Sequence, residues 1–269
     1  MPLPPHEIQP PGIQTPGIQT MDRPILIVAA VPAELSGLRE RMAHPVVTQA
    51  AGKQVIQGRL AGQSVALLAS GPGQVNTAHA LTARIEAQRP ALVILTGCAG
   101  VFDETGLSVG DIGIAHEEID VQLGVEAPNA AVSPLPFFII EKGSTRIRNI
   151  YPMDPGLVER TLLVLKKAFA AAHVKVAAGP FVTVSTITAS DGRAQRHHRE
   201  RGALMENMEG AAAAHICIQY DIPFLEIRSA SNRVGRRDKK SWDLPLAFGQ
   251  ASLAVYAVIK GIASMEILI

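Results

Sequence analysis

The stretch MENMEGAAAAHICIQYDIPFLEIRSASN, residues 205–232, carries most of the information about the fold. The alanine-rich segment that begins at Glu209 predicts a helix, and FLEIRS predicts a buried strand after a short turn. Asn232 follows the carboxyl end of that strand. Ligands of open α/β sheets bind at the carboxyl ends of strands. An acidic group and an amide at this edge therefore indicate a site for a polar small molecule.

Apolar runs of strand length alternate with helical segments along the rest of the chain. The predicted strands are ILIVAA (25–30), VALLAS (65–70), ALVILTG (91–97), DIGIA (111–115) and residues 181–188. The predicted helices follow Pro32 and cover residues 75–88, 155–172 and 243–262. Fully apolar strands between helices are typical of a sheet covered on both faces. The pattern predicts an α/β fold with three layers, α/β/α, around a central, mostly parallel mixed sheet.

The beginning of the chain has a different composition. The first 24 residues hold seven of the 19 prolines, and PGIQT occurs twice, at 11–15 and 16–20. Such a repeat cannot bury enough apolar surface to fold, so residues 1–22 are predicted to be a flexible Pro-rich tail. No domain boundary is evident afterwards, and residues 23–269 are predicted to form a single domain.

Composition excludes several classes of partner. The formal net charge is +1, which gives no electrostatic attraction to nucleic acid or to a membrane surface. No apolar run reaches the roughly 18 residues that span a bilayer. Two cysteines make no disulfide framework, so a cytoplasmic location is expected. Since no Cys or His cluster has metal-ligand spacing, neither a metal nor a cofactor is expected.

Three polar residues in apolar surroundings are candidates for the chemistry. Glu34, after the first strand, is either a general base or an acid that favours the amino end of a helix. Glu209 stands among apolar residues, so its carboxylate is expected to be buried and to have partners, as a ligand for sugar hydroxyls or as a structural cap. Asn232 is either a ligand for a base or a turn residue.

Two further features are less specific. Arg228 lies in an otherwise apolar strand, where it is expected to pair with Glu209, Glu34 or a substrate oxygen. SGPG at 70–73 precedes a helix and could bind an anion, although two glycines there more often make a tight turn.

Taken together, these motifs resemble the nucleoside phosphorylase/nucleosidase superfamily over most of residues 24–262. ILIVAAVPAEL looks like that family's first strand and turn, and TGCAG followed by GLSVGDI looks like its central strand and the start of the next strand. NMEGAAAAH looks like its ribose-binding helix, and RSASN looks like its purine-binding segment. The resemblance implies a nucleoside phosphorylase-like fold, a purine nucleoside as the small-molecule ligand, and a homodimer or higher homo-oligomer.

The resemblance also implies roles for individual residues. Glu34 would activate water, Glu209 would bind the ribose, and Asn232 would support the leaving base. Arg228 and Cys98 would position the water or Glu34. The substrate-binding set that it implies is Cys98, Ala99, Gly100, Ile187, Thr188, Asn207, Met208 and Arg228.

Two departures from the family pattern bear on the substrate. The family has acids where this chain has Asn207 and Asn232, and an amide at 232 favours a 6-oxopurine such as hypoxanthine over adenine. AAVPAE stands where phosphorylases carry a phosphate loop, which favours hydrolysis. SNRVGRRDKKSWDLPLAF, residues 231–248, looks most like the futalosine hydrolases of the alternative menaquinone pathway. The alternatives are a methylthioadenosine/S-adenosylhomocysteine-type nucleosidase, a purine nucleoside phosphorylase and a non-catalytic nucleoside-binding protein.

Overall fold

The computed structural model describes residues 23–50, 52–126 and 132–265. The strands in chain order are β1 (Ile25–Ala29), β2 (Ala43–Ala50), β3 (Lys53–Leu60), β4 (Gln63–Ala69), β5 (Leu92–Val101), β6 (Ile112–Asp120), β7 (Val125–Glu126), β8 (Val132–Ser133), β9 (Ile140–Lys142), β10 (Thr145–Ile147), β11 (Ile150–Pro152), β12 (Val176–Thr183), β13 (Met205–Asn207) and β14 (Phe224–Arg233). The helices are α1 (Ser36–Glu40), α2 (Gln74–Ala87), α3 (Pro155–Ala168), α4 (Asp191–Arg201), α5 (Gly210–Gln219) and α6 (Leu244–Met265). The predicted tail lies outside the described residues, and the single-domain assignment stays a prediction.

Ten of the strands make one mixed sheet. β1 pairs in parallel with β4 and β5, and β14 pairs in parallel with β5 and antiparallel with β6. β6 also pairs with β12, β12 with β13, and β13 with β5, so these strands and β14 form a closed ring of pairings. The prediction of an α/β fold around a central mixed sheet is confirmed, although within the described part of this sheet five pairings are parallel and five antiparallel.

The helices cover the sheet in two groups. α2 contacts α5, while α6 contacts α1 and α3 and packs on β14 and β5. β1 is buried along its whole length, as expected for a strand with helices on both faces. This covering explains why the predicted apolar runs were continuous rather than alternating.

The structure differs from the predicted elements in one hairpin and in the ends of a strand and a helix. The hairpin of β2 and β3 was not predicted, because β2 lies at the sheet edge with Val46 and Val47 exposed and lacks a buried face. The strand predicted at 181–188 is β12, which ends at Thr183, so Ile187 and Thr188 lie in the loop that follows. The helix predicted at 155–172 ends at Ala168.

Helix α6 is a described helix that is long enough to span a bilayer, although Lys260 interrupts its apolar residues. Its window Leu244–Ile262 is long and apolar enough by length and composition. However, 44% of that window is buried inside the structure, and the helix packs on β14 and β5. A core helix of the fold has these properties, so the length alone is weak evidence for a membrane span.

Candidate active site

A cavity of about 250 Å³ lies where the carboxyl ends of β1, β5 and β14 meet. Every residue that the sequence named for the site lines this cavity, namely Glu34, Cys98, Ala99, Gly100, Ile187, Thr188, Asn207, Met208, Glu209, Arg228 and Asn232. Because strands of one sheet bring distant parts of the chain to a common edge, residues about 200 positions apart in sequence meet here. Their roles toward a ligand remain a proposal.

Glu34 is held by backbone groups. Its carboxylate accepts hydrogen bonds from the backbone N–H of Val31 at 3.1 Å and of Cys98 at 2.9 Å. A Cβ on Gly97 would come within 2.3 Å of the carboxylate, and Gly97 has a φ of +127°, so glycine permits this approach. The side chain is buried but still reaches the cavity. Two N–H donors are the partners that an ionised carboxylate uses.

Glu209 is the residue before α5 and has two partners of its own. One carboxylate oxygen accepts from the N–H of Gly73 at 2.9 Å, and the other from Nη2 of Arg228 at 3.3 Å. Gly73 is the N-cap of α2, so the anion-binding turn at residues 70–73 binds a carboxylate of the protein itself. The expectation of a buried, partnered Glu209 agrees with this geometry.

Arg228 connects the acids below the cavity. Its Nε donates to Glu226 at 2.8 Å, and its Nη1 donates to the carbonyl of Cys98 at 3.4 Å. Burial alone would lower the pKa of Arg228, but the carboxylates of Glu226, Glu209 and Glu34 raise it above its ordinary value. The guanidinium is therefore a fixed positive charge that keeps Glu209 in place.

The thiol of Cys98 stays protonated. Burial, followed by the carboxylate of Glu34, raises the pKa of Cys98 to about 12. The backbone N–H of Cys98 donates a hydrogen bond to the Glu34 carboxylate at 2.9 Å. Cys98 thus helps to position Glu34 mainly through its backbone.

Asn207 lines the cavity and also has partners within the protein. Its Oδ1 accepts from the N–H groups of Glu209 at 2.9 Å and Gly210 at 2.7 Å, and its Nδ2 donates to Glu118. The side chain therefore caps the amino end of α5. Its contact with a substrate stays a prediction.

Asn232 lines the cavity near the carboxyl end of β14, after a bulge in that strand. Its Oδ1 accepts from Ser231 Oγ at 2.8 Å, and its Nδ2 donates to the carbonyl of Arg233 at 2.9 Å. An amide oxygen has a second lone pair and an NH2 group a second hydrogen, so each can form one more bond. The side chain lies beside Gly100, where a Cβ would come within 2.7 Å of a methyl group of Val234 and 3.4 Å of Asn232 Nδ2.

Glu206 is a cavity residue that the sequence reasoning missed. Its Oε1 accepts from the N–H of Thr188 at 3.0 Å, while its Oε2 is buried without a hydrogen-bond partner among the described residues. Burial raises the pKa of Glu206, and the bonds to Thr188 and the charge of Arg193 lower it less. The Thr188 N–H, expected to flank a base, is therefore already bonded. Ile187 is 42% exposed beside it.

A second missed feature is a pair of acids behind the cavity. Glu118 and Glu226 are fully buried next to each other beside Gly210, and Thr183 and Asn207 donate hydrogen bonds to Glu118. Burial and the neighbouring Glu226 raise the pKa of Glu118 well above its ordinary value, so Glu118 keeps the proton and Glu226 pairs with Arg228. Glu226 and Arg228 are two positions apart on one face of a strand, and this spacing could have predicted their ion pair from the sequence.

Metal ligation has no support in the described part of the chain. No group of three or more His, Cys, Asp or Glu side chains there could hold a metal ion. The absence of metal and cofactor remains a prediction.

Comparison with known proteins identifies the family. The model of the phosphorylase superfamily matches residues 24–263. The chain belongs to the phosphorylase superfamily. It is 33% identical over 245 residues to the 5'-methylthioadenosine/S-adenosylhomocysteine nucleosidase of Psychromonas ingrahamii, covering 88% of this chain and 98% of that protein. Its homologues are nucleosidases, enzymes that hydrolyse N-glycosidic bonds, so the prediction of an N-glycosyl hydrolase is confirmed.

Solved structures of this superfamily share the fold. The Neisseria meningitidis 5'-methylthioadenosine/S-adenosylhomocysteine nucleosidase in complex with methylthio-immucillin-A has a TM-score of 0.75 and 26% identity, over 89% of this chain and 99% of that one. The futalosine hydrolase of Helicobacter pylori has a TM-score of 0.74 at 19% identity, over 89% and 98% of the two chains. At that identity the likeness concerns the fold alone.

Proposed function

We propose that this protein hydrolyses the N-glycosidic bond of a 6-oxopurine nucleoside, with futalosine as the substrate and hypoxanthine as the released base. Asn232 is the observation that carries this proposal. Its NH2 can donate to the 6-oxo oxygen and its Oδ1 can accept from N7–H as the base departs. Adenine presents a donor at the 6-position instead, so the amide matches it less well.

The arrangement of the acids supports hydrolysis through an oxocarbenium-like transition state, as in glycoside cleavage generally. Glu34, held by two backbone N–H groups, would take the proton of the attacking water. Glu209, held by Gly73 and Arg228, would bind the ribose hydroxyls and stabilise positive charge on the ring. Both carboxylates belong to the hydrogen-bonded group around Cys98 and Arg228, whereas Asn232 bonds to Ser231 and Arg233, so sugar and base would meet separate groups of residues.

The position of Glu34 also favours water over phosphate as the nucleophile. Its carboxylate faces the same cavity as Glu209. A phosphate dianion beside two carboxylates would be repelled, whereas a neutral water molecule would not.

An adenine-releasing nucleosidase is the second candidate. The relative from Psychromonas ingrahamii is a 5'-methylthioadenosine/S-adenosylhomocysteine nucleosidase at 33% identity, and this favours a methylthioadenosine-type substrate. The two candidates share the fold, Glu34 and Glu209, and differ in the base that Asn232 would accept.

The discriminating experiment compares substrates that differ only in the base. Futalosine and its 6-amino counterpart are incubated with the enzyme, with inosine and methylthioadenosine in parallel, each with and without phosphate. We expect phosphate-independent release of hypoxanthine from futalosine at a kcat/KM at least about 10-fold above that of the 6-amino counterpart, the scale of one hydrogen-bonding mismatch. Strict dependence on phosphate, or a preference for the 6-amino compound, would contradict the proposal.

Several expectations about the cellular setting accompany this proposal. Both cysteines, Cys98 and Cys217, are free thiols in the structure, which is compatible with a reducing cytoplasm. A role in menaquinone synthesis follows if futalosine is the substrate. A homodimer or higher homo-oligomer remains an expectation to be measured by light scattering.

A further inference from the structure

The proposed reaction needs a group that gives a proton to the departing purine, and none of the residues assigned so far can do so. When the bond between C1′ and N9 breaks, its electron pair stays on the purine, and the departing anion is a poor leaving group unless it is protonated. Asn232, the side chain placed beside the base, is an amide and has no acidic proton to give. Glu34 and Glu209 already accept hydrogen bonds from other groups of the protein, and Glu34 has the role of proton acceptor in the proposed reaction.

We infer that Glu206 is the general acid that protonates the leaving base. Glu206 on β13 and Asn232 on β14 both pair with Gly100 of β5, one on each side of it. Residues paired across neighbouring strands point to the same face of a sheet, so both side chains flank a position that has no side chain of its own. Both residues line the cavity.

The surroundings of Glu206 leave one oxygen available for this transfer. Oε1 is fixed by the N–H of Thr188 at 3.0 Å, and the buried Oε2 has no protein partner among the described residues. An ionised carboxylate with one bare oxygen in a largely apolar cavity is costly, whereas a carboxylic acid presents an O–H that can be donated. Burial raises the pKa of Glu206, in the direction that this role needs.

The proton balance of the step closes without another reactant. Glu206 gives its proton to a ring nitrogen of the base as the bond between C1′ and N9 breaks. Water adds to C1′, and Glu34 accepts the proton that the water loses. One water molecule is consumed, the purine leaves neutral, and exchange with solvent returns Glu34 to the carboxylate and Glu206 to the acid.

The test uses the dependence on the leaving group. Glu206→Gln keeps the shape of the side chain and an oxygen for the Thr188 N–H, but it has no acidic proton. The substrates are the purine nucleoside that the wild-type enzyme hydrolyses and 4-nitrophenyl riboside, whose leaving group departs without protonation. Glu200→Gln is the matched control, because Glu200 is exposed on α4 and does not line the cavity.

We expect Glu206→Gln to lower kcat on the nucleoside by about 10²- to 10⁴-fold, the usual scale of general acid catalysis, with KM changed little. The rate on the nitrophenyl riboside should stay within a few-fold of wild type. Equal losses on both substrates would show a structural role, and no loss on either would show that another group gives the proton. Either result overturns the inference.

This inference rests on the proposed function but fails separately from it. If the wild-type enzyme prefers an adenine nucleoside, the proposed base specificity is wrong, while the leaving-group comparison still decides the role of Glu206.

Discussion

The two sides of the cavity hold their carboxyl groups in opposite ways. On the charged side, formed by Glu34, Glu209 and Arg228, each carboxylate has two donors from the protein. On the neutral side, formed by Glu206, Thr188 and Asn232, Glu206 has one donor and one oxygen without a partner among the described residues. The number of hydrogen-bond partners, rather than burial, therefore distinguishes these acids, since all three are buried to a similar extent.

Removing the base on the charged side should have the largest effect on turnover. Glu34→Gln abolishes the proton acceptor for water, and we expect kcat to fall by about 10²- to 10⁴-fold. The amide also presents NH2 to one of two backbone N–H donors, which should cost about 1–3 kcal/mol of stability. Steady-state kinetics and thermal melting separate the two effects. An unchanged kcat in a folded variant would remove Glu34 from the mechanism.

Removing the cation of the charged side should have the largest effect on stability. Arg228→Met leaves Glu209 and Glu226 buried without their common partner, and we expect a loss of about 3–5 kcal/mol. The matched control is Arg233→Met, whose ion pair with Asp103 is half-exposed and should contribute less than about 1 kcal/mol. Urea denaturation measures both variants, and equal losses would show that Arg228 does not hold the charged side together.

The residues of the charged side could be predicted because their signals are local. An acid or an arginine inside an apolar segment needs a partner, and the carboxyl ends of parallel strands meet at one edge. Glu34, Glu209 and Arg228 were found in this way. The pattern of apolar runs likewise gave the layers of the sheet, but missed the hairpin of β2 and β3 because an exposed edge strand lacks such a run.

The neutral side could not be predicted in the same way. Glu206 looks like a surface acid in sequence, and only the ring that β13 closes between β12 and β5 buries it. Asn207 entered the substrate-binding set through the resemblance alone, and nothing in the sequence indicated its partner Glu118, which lies 89 positions away on another strand. Whether a buried polar group has a partner depends on such distant pairings, which spacing along the chain does not reveal.

A change on the neutral side should alter base preference rather than the overall rate. Asn232→Asp supplies an oxygen acceptor for a 6-amino group and loses the NH2 donor for a 6-oxo group. We expect the ratio of kcat/KM for futalosine to that for its 6-amino counterpart to fall by about 10-fold, the equivalent of one hydrogen bond. If the ratio is unchanged, the amide does not read the base, and the argument for hypoxanthine loses its basis.

The smallest predicted effect concerns Glu118, a buried acid to which Thr183 and Asn207 both donate hydrogen bonds. Burial and the neighbouring Glu226 raise its pKa in spite of these donors, so Glu118 should keep its proton beside Glu226. A pKa raised in the folded state above the ordinary 4.5 means that the folded protein binds a proton that the unfolded chain releases. Stability from this group is therefore complete below pH 4.5 and decreases as the pH rises toward the folded pKa.

Glu118→Gln removes that titration while keeping a side chain of the same shape that can donate to Glu226. Between about pH 5 and pH 8, we expect the unfolding free energy of the wild type to fall relative to the variant, with a slope of at most about 1.4 kcal/mol per pH unit. Urea denaturation at several pH values gives the two curves. Parallel curves would mean that Glu118 is ionised in the folded protein at the side of Glu226. Two donors would then be enough to keep a buried acid ionised beside a second carboxyl group, whereas the expected slope would show that burial and the neighbouring Glu226 outweigh those donors.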